Sequence, residues 1–355
     1  MKIGVFEPVP LNISLMGGGG IVLREILNVL KKRGYIIYLF SPFMNENNYE
    51  NLSRLVDKII SIRFPTITSN FLNFSVTRIY NIFISLFQKI FDNSFDYTIC
   101  NTYDNLIGGF DFGYVHFPAR KYFKLRDIKT IKNIKDLMNF ITSVKFKENT
   151  RIIAANSTFT MRLIKEKITK NVYLLYPPVN IINCDNIEQK DDIVVSLGRI
   201  ARDKNYETVI KVAAKLTNIK FIIIGRIHDY RYYKELISRS PSNLIFLTNL
   251  DEKNKKEILC KAKIIFHAKI DEPFGISVVE GMSAGLIPVV HKSGGTWIDI
   301  VEEGKYGYGY LTEEEAIEAI KQALNDSDLR KDVKDKARSF ESAMFDDRFL
   351  KISGL

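Results

Sequence analysis

The chain has 355 residues, and at about 150 residues per domain this length predicts two domains, each able to bury a full core. Apolar residues make up 46% and charged residues 26%, which is ordinary globular usage and excludes collagen-like, disordered and low-complexity chains. Lys and Arg number 51 against 41 Asp and Glu, a formal net charge of +10. This charge favours anionic partners, namely nucleic acid, a phospholipid surface or a phosphorylated small molecule, without choosing among them.

The three cysteines, Cys100, Cys184 and Cys260, form no CxxC pair and are odd in number. Neither a disulfide framework nor a zinc site is therefore expected, and a reducing cytosol fits best.

The sequence indicates neither a signal peptide nor a membrane span. The apolar run before Glu7 and Pro8 is too short for the core of a signal peptide, so secretion is not expected. The most apolar stretch, 71–91, contains Arg78 and Lys89 and cannot be an uninterrupted transmembrane helix. Its aromatic residues recur at helical spacing, which predicts a core-facing helix, with a membrane-interface helix as the alternative. A soluble or peripheral protein follows.

Short β-branched runs alternate with helical patterns along the whole chain, which predicts an α/β fold built on parallel sheets. The strands expected in the first half are 3–6, 35–40, 97–100, 113–117, 152–155 and 173–176. Those expected in the second half are 193–197, 221–224, 244–247, 264–266 and 287–290.

A double proline, Pro177-Pro178, separates the two sets of strands and cannot continue a helix. We therefore place a domain boundary there and expect two Rossmann-like, doubly wound domains, 1–179 and 180–339, facing each other across a cleft. Ligands of such domains bind at the carboxyl ends of the strands.

The segment 120–151 holds ten basic and three acidic residues, a net charge of +7. It could dock on anionic lipid head groups or on an acceptor that bears a pyrophosphate, or it could be a solvated helical face. The residues leave these alternatives open.

Four glycines, 17–20, follow the first strand and precede a helix expected at 22–32. Bare backbone amides at a helix N-terminus can approach an anion closely. A dinucleotide site is disfavoured, because Val22 stands where GxGxxG needs its last glycine and no acidic residue follows the second strand. A loop that a substrate approaches closely is expected instead.

The segment after strand 193–197 places Arg199 and Lys204 just beyond a strand's carboxyl end. A guanidinium fork and a mobile ammonium group together suit a diphosphate. The alternative is a surface salt bridge of either residue with Asp203 or Glu207.

The segment 271–285 gives the strongest signal, because it follows strand 264–266 as a loop and then a helix. Glu272 is expected in the loop and Glu280 on the helix, so that both carboxylates converge near the backbone amides of 274–277. Such a site can hold sugar hydroxyls and a phosphate together. The alternative is a capped helix with a solvent-facing glutamate.

The pattern EPFGxxxxEGMxAG, preceded by GRxxxxK and a glycine-rich first loop, resembles the retaining GT-B glycosyltransferases of family 4 over nearly the whole chain. Within that family, five further segments resemble the α-1,2-mannosyltransferases of the dolichol pathway. These segments are 113–118, 156–160, 175–179, 274–280 and 291–295.

The resemblance implies a role for each matched residue. Arg199 and Lys204 would hold the diphosphate, Glu280 the ribose and Glu272 the hydroxyls of the donor sugar. His116 would point at the reacting sugar, so the expected catalytic residues are His116, Glu272, Arg199 and Lys204. The remaining donor contacts would be backbone groups of Gly17, Gly18, Phe274, Gly275 and Ile276.

The resemblance further implies a hexose transfer with retained configuration, which needs no protein nucleophile. GDP-mannose is the first choice of donor and UDP-glucose the second, with a lipid-linked oligosaccharide at the cytosolic face of an anionic membrane as acceptor. No cofactor or metal is expected, since Asp326-Ser327-Asp328 fits a helix N-cap. The segment 340–355 resembles the family's final helix, which crosses back onto the first domain.

Two other classes remain as alternatives. A nucleotide-sugar epimerase of the same architecture would need no acceptor surface, which the basic segment 120–151 argues against. A non-catalytic nucleic-acid-binding protein would explain the net charge, but no nucleic-acid-binding motif supports it, so no nucleic-acid partner is expected.

Overall fold

The computed structural model describes residues 1–8, 11, 17–63, 94–101, 109–117, 150–167, 169, 171–185 and 189–355. They form two compact units, the first of residues 1–178 and 342–355 and the second of residues 179–341. The aromatic stretch 71–91 and the basic segment, apart from 150–151, lie outside the described residues. No described helix is both long and apolar enough to span a bilayer.

The first unit is built on a parallel sheet in the order β3-β2-β1-β4-β5-β6-β7. Its strands are β1 Lys2–Phe6, β2 Ile36–Met44, β3 Lys58–Arg63, β4 Tyr97–Cys100, β5 Phe112–Val115, β6 Ile152–Ala155 and β7 Tyr173–Leu174. Its helices up to this point in the chain are α1 Gly18–Lys32, α2 Glu46–Ser53 and α3 Thr158–Lys167. Buried apolar residues recur in α1 at the spacing of one helix face, which packs on the sheet.

The second unit is built on a parallel sheet in the order β10-β9-β8-β11-β12-β13. Its strands are β8 Asp191–Leu197, β9 Lys220–Gly225, β10 Leu244–Thr248, β11 Ala262–His267, β12 Ile287–His291 and β13 Tyr308–Tyr310. Its helices are α4 Tyr206–Lys215, α5 Tyr230–Ser238, α6 Glu252–Lys261, α7 Ile276–Ser283, α8 Glu313–Asn325 and α9 Leu329–Arg338. The central strands are continuously buried, as helices on both faces of a parallel sheet require.

The last helix, α10 Ser342–Ser353, belongs to the first unit. Phe345 and Phe349 are buried in that unit's core, and the Phe349 ring lies edge-on to Phe112 at 5.2 Å between centroids. The Tyr97 hydroxyl donates to the Ser353 carbonyl at 2.9 Å. The chain therefore completes its first core with its last helix.

The second unit contains a disulfide between Cys184 and Cys260, which are 76 residues apart in sequence. Cys260 lies on α6, and Cys184 follows the start of the unit. The expectation that no cysteines pair is therefore wrong, and the cysteine content no longer argues for a reducing compartment. Cys100 is free and buried.

The α/β class with two parallel sheets is confirmed, but several bounds differ from the expected ones. β3 and β13 are not among the expected strands, and the strand expected at 113–117 ends at Val115. Helix α1 begins at Gly18 instead of residue 22, because Gly17 is its N-cap in extended backbone and accepts from the Ile21 amide. The glycines thus form the cap and first turn of a helix.

Candidate active site

The loop between β11 and α7 carries the proposed donor-binding motif at the carboxyl edge of the second sheet. Its backbone ends at Gly275, the N-cap of α7, whose φ of +111° lies in the left-handed region. A Cβ atom there would lie 2.5 Å from Thr296 Cγ2, so a larger residue would both strain the backbone and clash. Glycine is therefore required where the loop enters the helix.

A second segment, Ser293-Gly294-Gly295, holds this loop in place. The Asp271 amide donates to Ser293 Oγ at 2.8 Å, and the Gly295 amide donates to the Glu272 carbonyl at 2.8 Å. A Cβ atom on Gly294 would lie 2.4 Å from that same carbonyl oxygen. The two glycines let the backbones approach closely, and this fixes the position of Glu272.

The Glu272 carboxylate is the centre of a buried ionic cluster. Its Oε2 accepts from Lys204 Nζ at 2.6 Å and lies 3.1 Å from His267 Nε2, while Lys269 Nζ lies 3.4 Å from Oε1. The side chains of Lys204 and Glu272 are only 15% and 11% exposed. Burial alone would raise the pKa of Glu272, but Lys204, His267 and Lys269 outweigh burial and hold it well below its usual value. The carboxylate is therefore ionised at neutral pH.

Lys204 reaches Glu272 because of the chain's path after β8. A 3₁₀ turn at Arg202–Lys204 ends at Asn205, whose φ of 54° is left-handed and whose side-chain amide donates to the Ala268 carbonyl at 3.1 Å. The Tyr206 hydroxyl donates to the Gly198 carbonyl at 3.0 Å and closes the segment on itself. The segment that follows β8 is thereby tied to the end of β11.

Arg199 and Lys204 differ in their surroundings. The Arg199 side chain is 52% exposed, and its nearest described acidic partner is Asp203 at 3.9 Å. This contact is the surface salt bridge that the sequence left open for Arg199. Lys204 makes neither of the surface contacts considered for it and instead lies against Glu272.

Glu280 lies on α7 and belongs to a different cluster. Its Oε1 is 3.6 Å from Lys255 Nζ, which also lies 2.7 Å from Glu252 Oε2. Burial raises the pKa of Glu280 and Lys255 opposes the rise. Among the described contacts Glu272 and Glu280 share no partner, so their convergence on one group stays a prediction.

The second unit matches the model of a known protein family. Residues 180–340 match the family model described as "Glycosyl transferases group 1". This match covers nearly all of the second unit, which is called the group 1 unit from here on. The chain is also similar to the GDP-Man:Man(3)GlcNAc(2)-PP-Dol alpha-1,2-mannosyltransferase of Dictyostelium discoideum, at 24% identity in an alignment of 317 residues that covers 74% of this chain. The mouse protein of the same name is 31% identical over 46% of the chain.

The chain spans 62% of the length of the Dictyostelium relative and 39% of that of the mouse relative. Among solved structures, a sucrose-phosphate synthase from Thermosynechococcus elongatus has a TM-score of 0.76 at 14% identity. HepE of Anabaena has a TM-score of 0.68 at 14% identity. In both cases the match covers 99% of this chain and 98% of the other. The GT-B fold and the resemblance to glycosyltransferases are confirmed.

Seven of the ten predicted site residues lie in the group 1 unit, either in the segments that follow β8 and β11 or on α7. They are Arg199, Lys204, Glu272, Phe274, Gly275, Ile276 and Glu280. Phe274 is buried, with its ring 5.3 Å from that of Phe340. Gly275 and Ile276 stand at the N-terminus of α7, where the first amides have no partner within the helix.

The remaining three predicted residues, Gly17, Gly18 and His116, lie in the first unit. His116 directly follows β5, and its ring lies 4.8 Å from that of Tyr114. Burial lowers the pKa of His116 to about 4, so the imidazole is neutral at physiological pH.

Sequence reasoning missed several polar residues at the ends of strands. In the group 1 unit these are His267 and Lys269. In the first unit, Asn101 Nδ2 donates to the buried Glu7 carboxylate at 2.5 Å and to the Gly19 carbonyl at 3.0 Å. The available signal for His267, Glu7 and Asn101 was the position directly after a run of apolar strand residues.

Asp326 Oδ1 accepts from the Leu329 amide at 3.2 Å, while the N-cap residue of α9 is Asp328, whose side chain makes no capping hydrogen bond. Over the described part of the chain, no three acidic, histidine or cysteine side chains are grouped as a metal site would require.

Proposed function

We propose that the protein is a retaining glycosyltransferase that moves mannose from GDP-mannose to a hydroxyl of a lipid-linked oligosaccharide. The buried Lys204–Glu272–His267 cluster at the carboxyl edge of the group 1 unit carries this proposal. In this cluster Lys204, the proposed ligand of the diphosphate, lies beside Glu272, the proposed acceptor for the sugar hydroxyls. The mannosyltransferase names of the sequence relatives favour GDP-mannose over UDP-glucose and a transferase over an epimerase.

Donor binding divides among three groups of contacts. Arg199 and Lys204 hold the diphosphate, and the amides of Phe274, Gly275 and Ile276 add backbone donors at the start of α7. Glu272 accepts from hydroxyls of the mannose. Glu280, kept near Lys255, accepts from the ribose hydroxyls.

The chemical step depends on stabilising charge at the leaving group. As the sugar acquires oxocarbenium character, negative charge grows on the departing diphosphate, where Lys204 and Arg199 neutralise it. The departing phosphate itself deprotonates the acceptor on the same face of the sugar, which retains the anomeric configuration. These two cations supply the positive charge that the leaving group needs, so the reaction should proceed without a metal ion.

His116 and the glycines are the proposed contribution of the first unit. The neutral imidazole orients the reacting sugar by a hydrogen bond, and Gly17 and Gly18 allow a close approach at the N-terminus of α1. Inversion of configuration would instead require a general base, and His116 would then be the candidate.

The proposed acceptor places the enzyme at a membrane. The names of the sequence relatives give a PP-Dol acceptor, and the segment 120–151 of this chain carries a net charge of +7. We propose that this segment docks on anionic lipid head groups at the cytosolic face. Reversing Lys124, Lys129 and Lys132 to glutamate should then reduce sedimentation with anionic liposomes, and unchanged sedimentation would contradict docking.

The activity test supplies radiolabelled GDP-mannose or UDP-glucose with a mannose-terminated lipid-linked oligosaccharide, with and without EDTA. Label should enter the lipid extract from GDP-mannose alone, in EDTA as well as without it, and the new linkage should be α by NMR. Lys204→Met should abolish transfer, while Lys256→Met, an exposed lysine on α6, should leave it unchanged. Transfer from UDP-glucose would correct the donor, and no transfer from either donor would contradict the proposal.

A further inference from the structure

His267 is a buried histidine for which the proposed chemistry has no role so far. It is the last residue of β11, is 4% exposed, and its Nε2 lies 3.1 Å from Glu272 Oε2. Its backbone is paired with Val290 of β12, and its carbonyl accepts from the Tyr310 hydroxyl at 3.3 Å. Strand pairing and this bond together fix where the ring stands.

The contact with Glu272 fixes the tautomer of His267. An ionised carboxylate only accepts hydrogen bonds, so Nε2 must carry the proton and donate. Burial lowers the pKa of His267, although Glu272 opposes the shift. The ring is therefore a neutral donor in the Nε2–H form.

The two donors on Glu272 Oε2 respond differently to an incoming diphosphate. Lys204 is a flexible ammonium group at 2.6 Å, and a second anion competes with Glu272 for it. His267 is neutral and is held by its strand, so the negative charge of the diphosphate does not draw it away from Glu272 as it draws Lys204. When Lys204 is shared with phosphate, the bond from His267 is the one that continues to orient the carboxylate.

We infer that His267 is a positioning residue that holds Glu272 for the hydroxyls of the donor sugar while Lys204 serves the diphosphate. The inference rests on the proposed function and adds to it a division of labour. Binding of the sugar depends on His267, and binding of the nucleoside diphosphate does not.

The test compares GDP-mannose with GDP by isothermal titration calorimetry. His267→Leu removes the donor and should raise the Kd of GDP-mannose by about 10-fold or more, the lower limit for loss of a hydrogen bond to a charged group, while the Kd of GDP stays within about twofold. His267→Gln, whose amide can reach the position of Nε2, should restore most of the lost affinity. His228→Leu, at an exposed histidine after β9, should change neither constant.

Equal weakening of GDP and GDP-mannose in His267→Leu would show a merely structural role and overturn the inference, as would unchanged binding of both. A wild-type protein that binds neither ligand would instead sink the proposed function itself.

Should His267→Leu fail to fold, ¹⁵N-histidine NMR of the wild-type protein with bound GDP-mannose provides the readout. The expected signal is the Nε2–H tautomer at His267. The Nδ1–H tautomer would overturn the inference.

Discussion

Each of the two units has its own parallel sheet flanked by helices, but the polar groups at the carboxyl edges of the two sheets differ. In the second unit Glu272 lies among Lys204, Lys269 and His267, an ionised cluster that is nearly closed to solvent. In the first unit the equivalent edge presents His116, held neutral by burial, and Asn101 beside Glu7.

Under the proposed function, the two edges would serve the two halves of the transfer reaction. A leaving diphosphate needs fixed positive charge, and buried cations remain in place only when a carboxylate such as Glu272 pairs with them. An acceptor hydroxyl is neutral and needs orientation more than charge. We therefore expect substitutions at the second edge to act through charge and those at the first edge to act through geometry.

Loss of the central cation should have the largest effect. Lys204→Met removes the closest positive charge from both Glu272 and the diphosphate and should lower kcat/KM about 10²- to 10³-fold, as loss of a preorganised transition-state contact does. Steady-state kinetics with GDP-mannose measure this, with Lys256→Met as the control. A loss below about threefold would mean that the charged edge does not serve the leaving group.

The disulfide should distinguish the two units in stability. Cys184→Ser opens a bridge spanning 76 residues and should lower the free energy of unfolding of the second unit by about 2–4 kcal/mol. Urea unfolding followed by hydrogen exchange separates the units, and the first unit should be unchanged. Cys260→Ser opens the same bridge and should give the same loss, and equal losses in both units would contradict the assignment.

At the opposite end of the second sheet, the described hydrogen bonds of Lys190 go to backbone carbonyls and not to a carboxylate, so its pKa can be compared with those of the paired groups. Lys190 precedes β8 and donates to the carbonyls of Leu259 and Cys260. Burial, aided by Arg330 and Lys334, lowers its pKa to about 7. Between pH 7 and its unfolded pKa of about 10.4, the unfolded chain holds a proton that the folded chain lacks, so stability rises with pH by up to about 1.4 kcal/mol per unit.

The measurement is urea unfolding of the wild type and Lys190→Met at pH 6, 7, 8 and 9. The wild type should gain stability relative to the variant above pH 7 and should show a constant difference below it. A difference that does not vary from pH 6 to 9 would show that Lys190 keeps its ordinary pKa.

His116 should give the smallest effect. Because burial lowers the pKa of His116 to about 4, kcat/KM should show no inflection from it between pH 5.5 and 8. His116→Leu should lower kcat about 10-fold by removing one orienting hydrogen bond and leave the Kd of GDP-mannose unchanged. An inflection near pH 6.5 that disappears in the variant would identify a titrating base instead.

Much of the fold was predictable because strands buried on both faces are continuous apolar runs, as in Ile222–Ile224 of β9 and Ile264–Phe266 of β11. The short strand β13 was not predicted because Gly307 directly before it and Gly309 within it resemble a turn. The start of α1 was not predicted because Gly18–Gly20 have low helix propensity. The packing of the buried residues in the rest of the helix outweighs the cost of these three glycines.

The site was predictable where a residue type, a spacing and a strand end coincided, as for Lys204 and Glu272. Their mutual contact was not, since it depends on the 3₁₀ turn and the left-handed Asn205 that bring two distant segments together. The pairing of Cys184 with Cys260 was not predictable either, because it joins segments 76 residues apart in sequence. Lys255 was one of many lysines until the packing of α6 placed it beside Glu280.

The most direct test of the central claim is thermal unfolding of the purified protein, without added metal, in the presence of GDP, UDP, ADP and their sugars. A ligand at 100 times its Kd stabilises the folded state by about 2.7 kcal/mol, which is a readily measured shift of Tm. The proposed function predicts a shift selective for GDP and GDP-mannose, and the charged edge of the second unit predicts that Lys204→Met loses this shift. No shift with any nucleotide at millimolar concentration would contradict it.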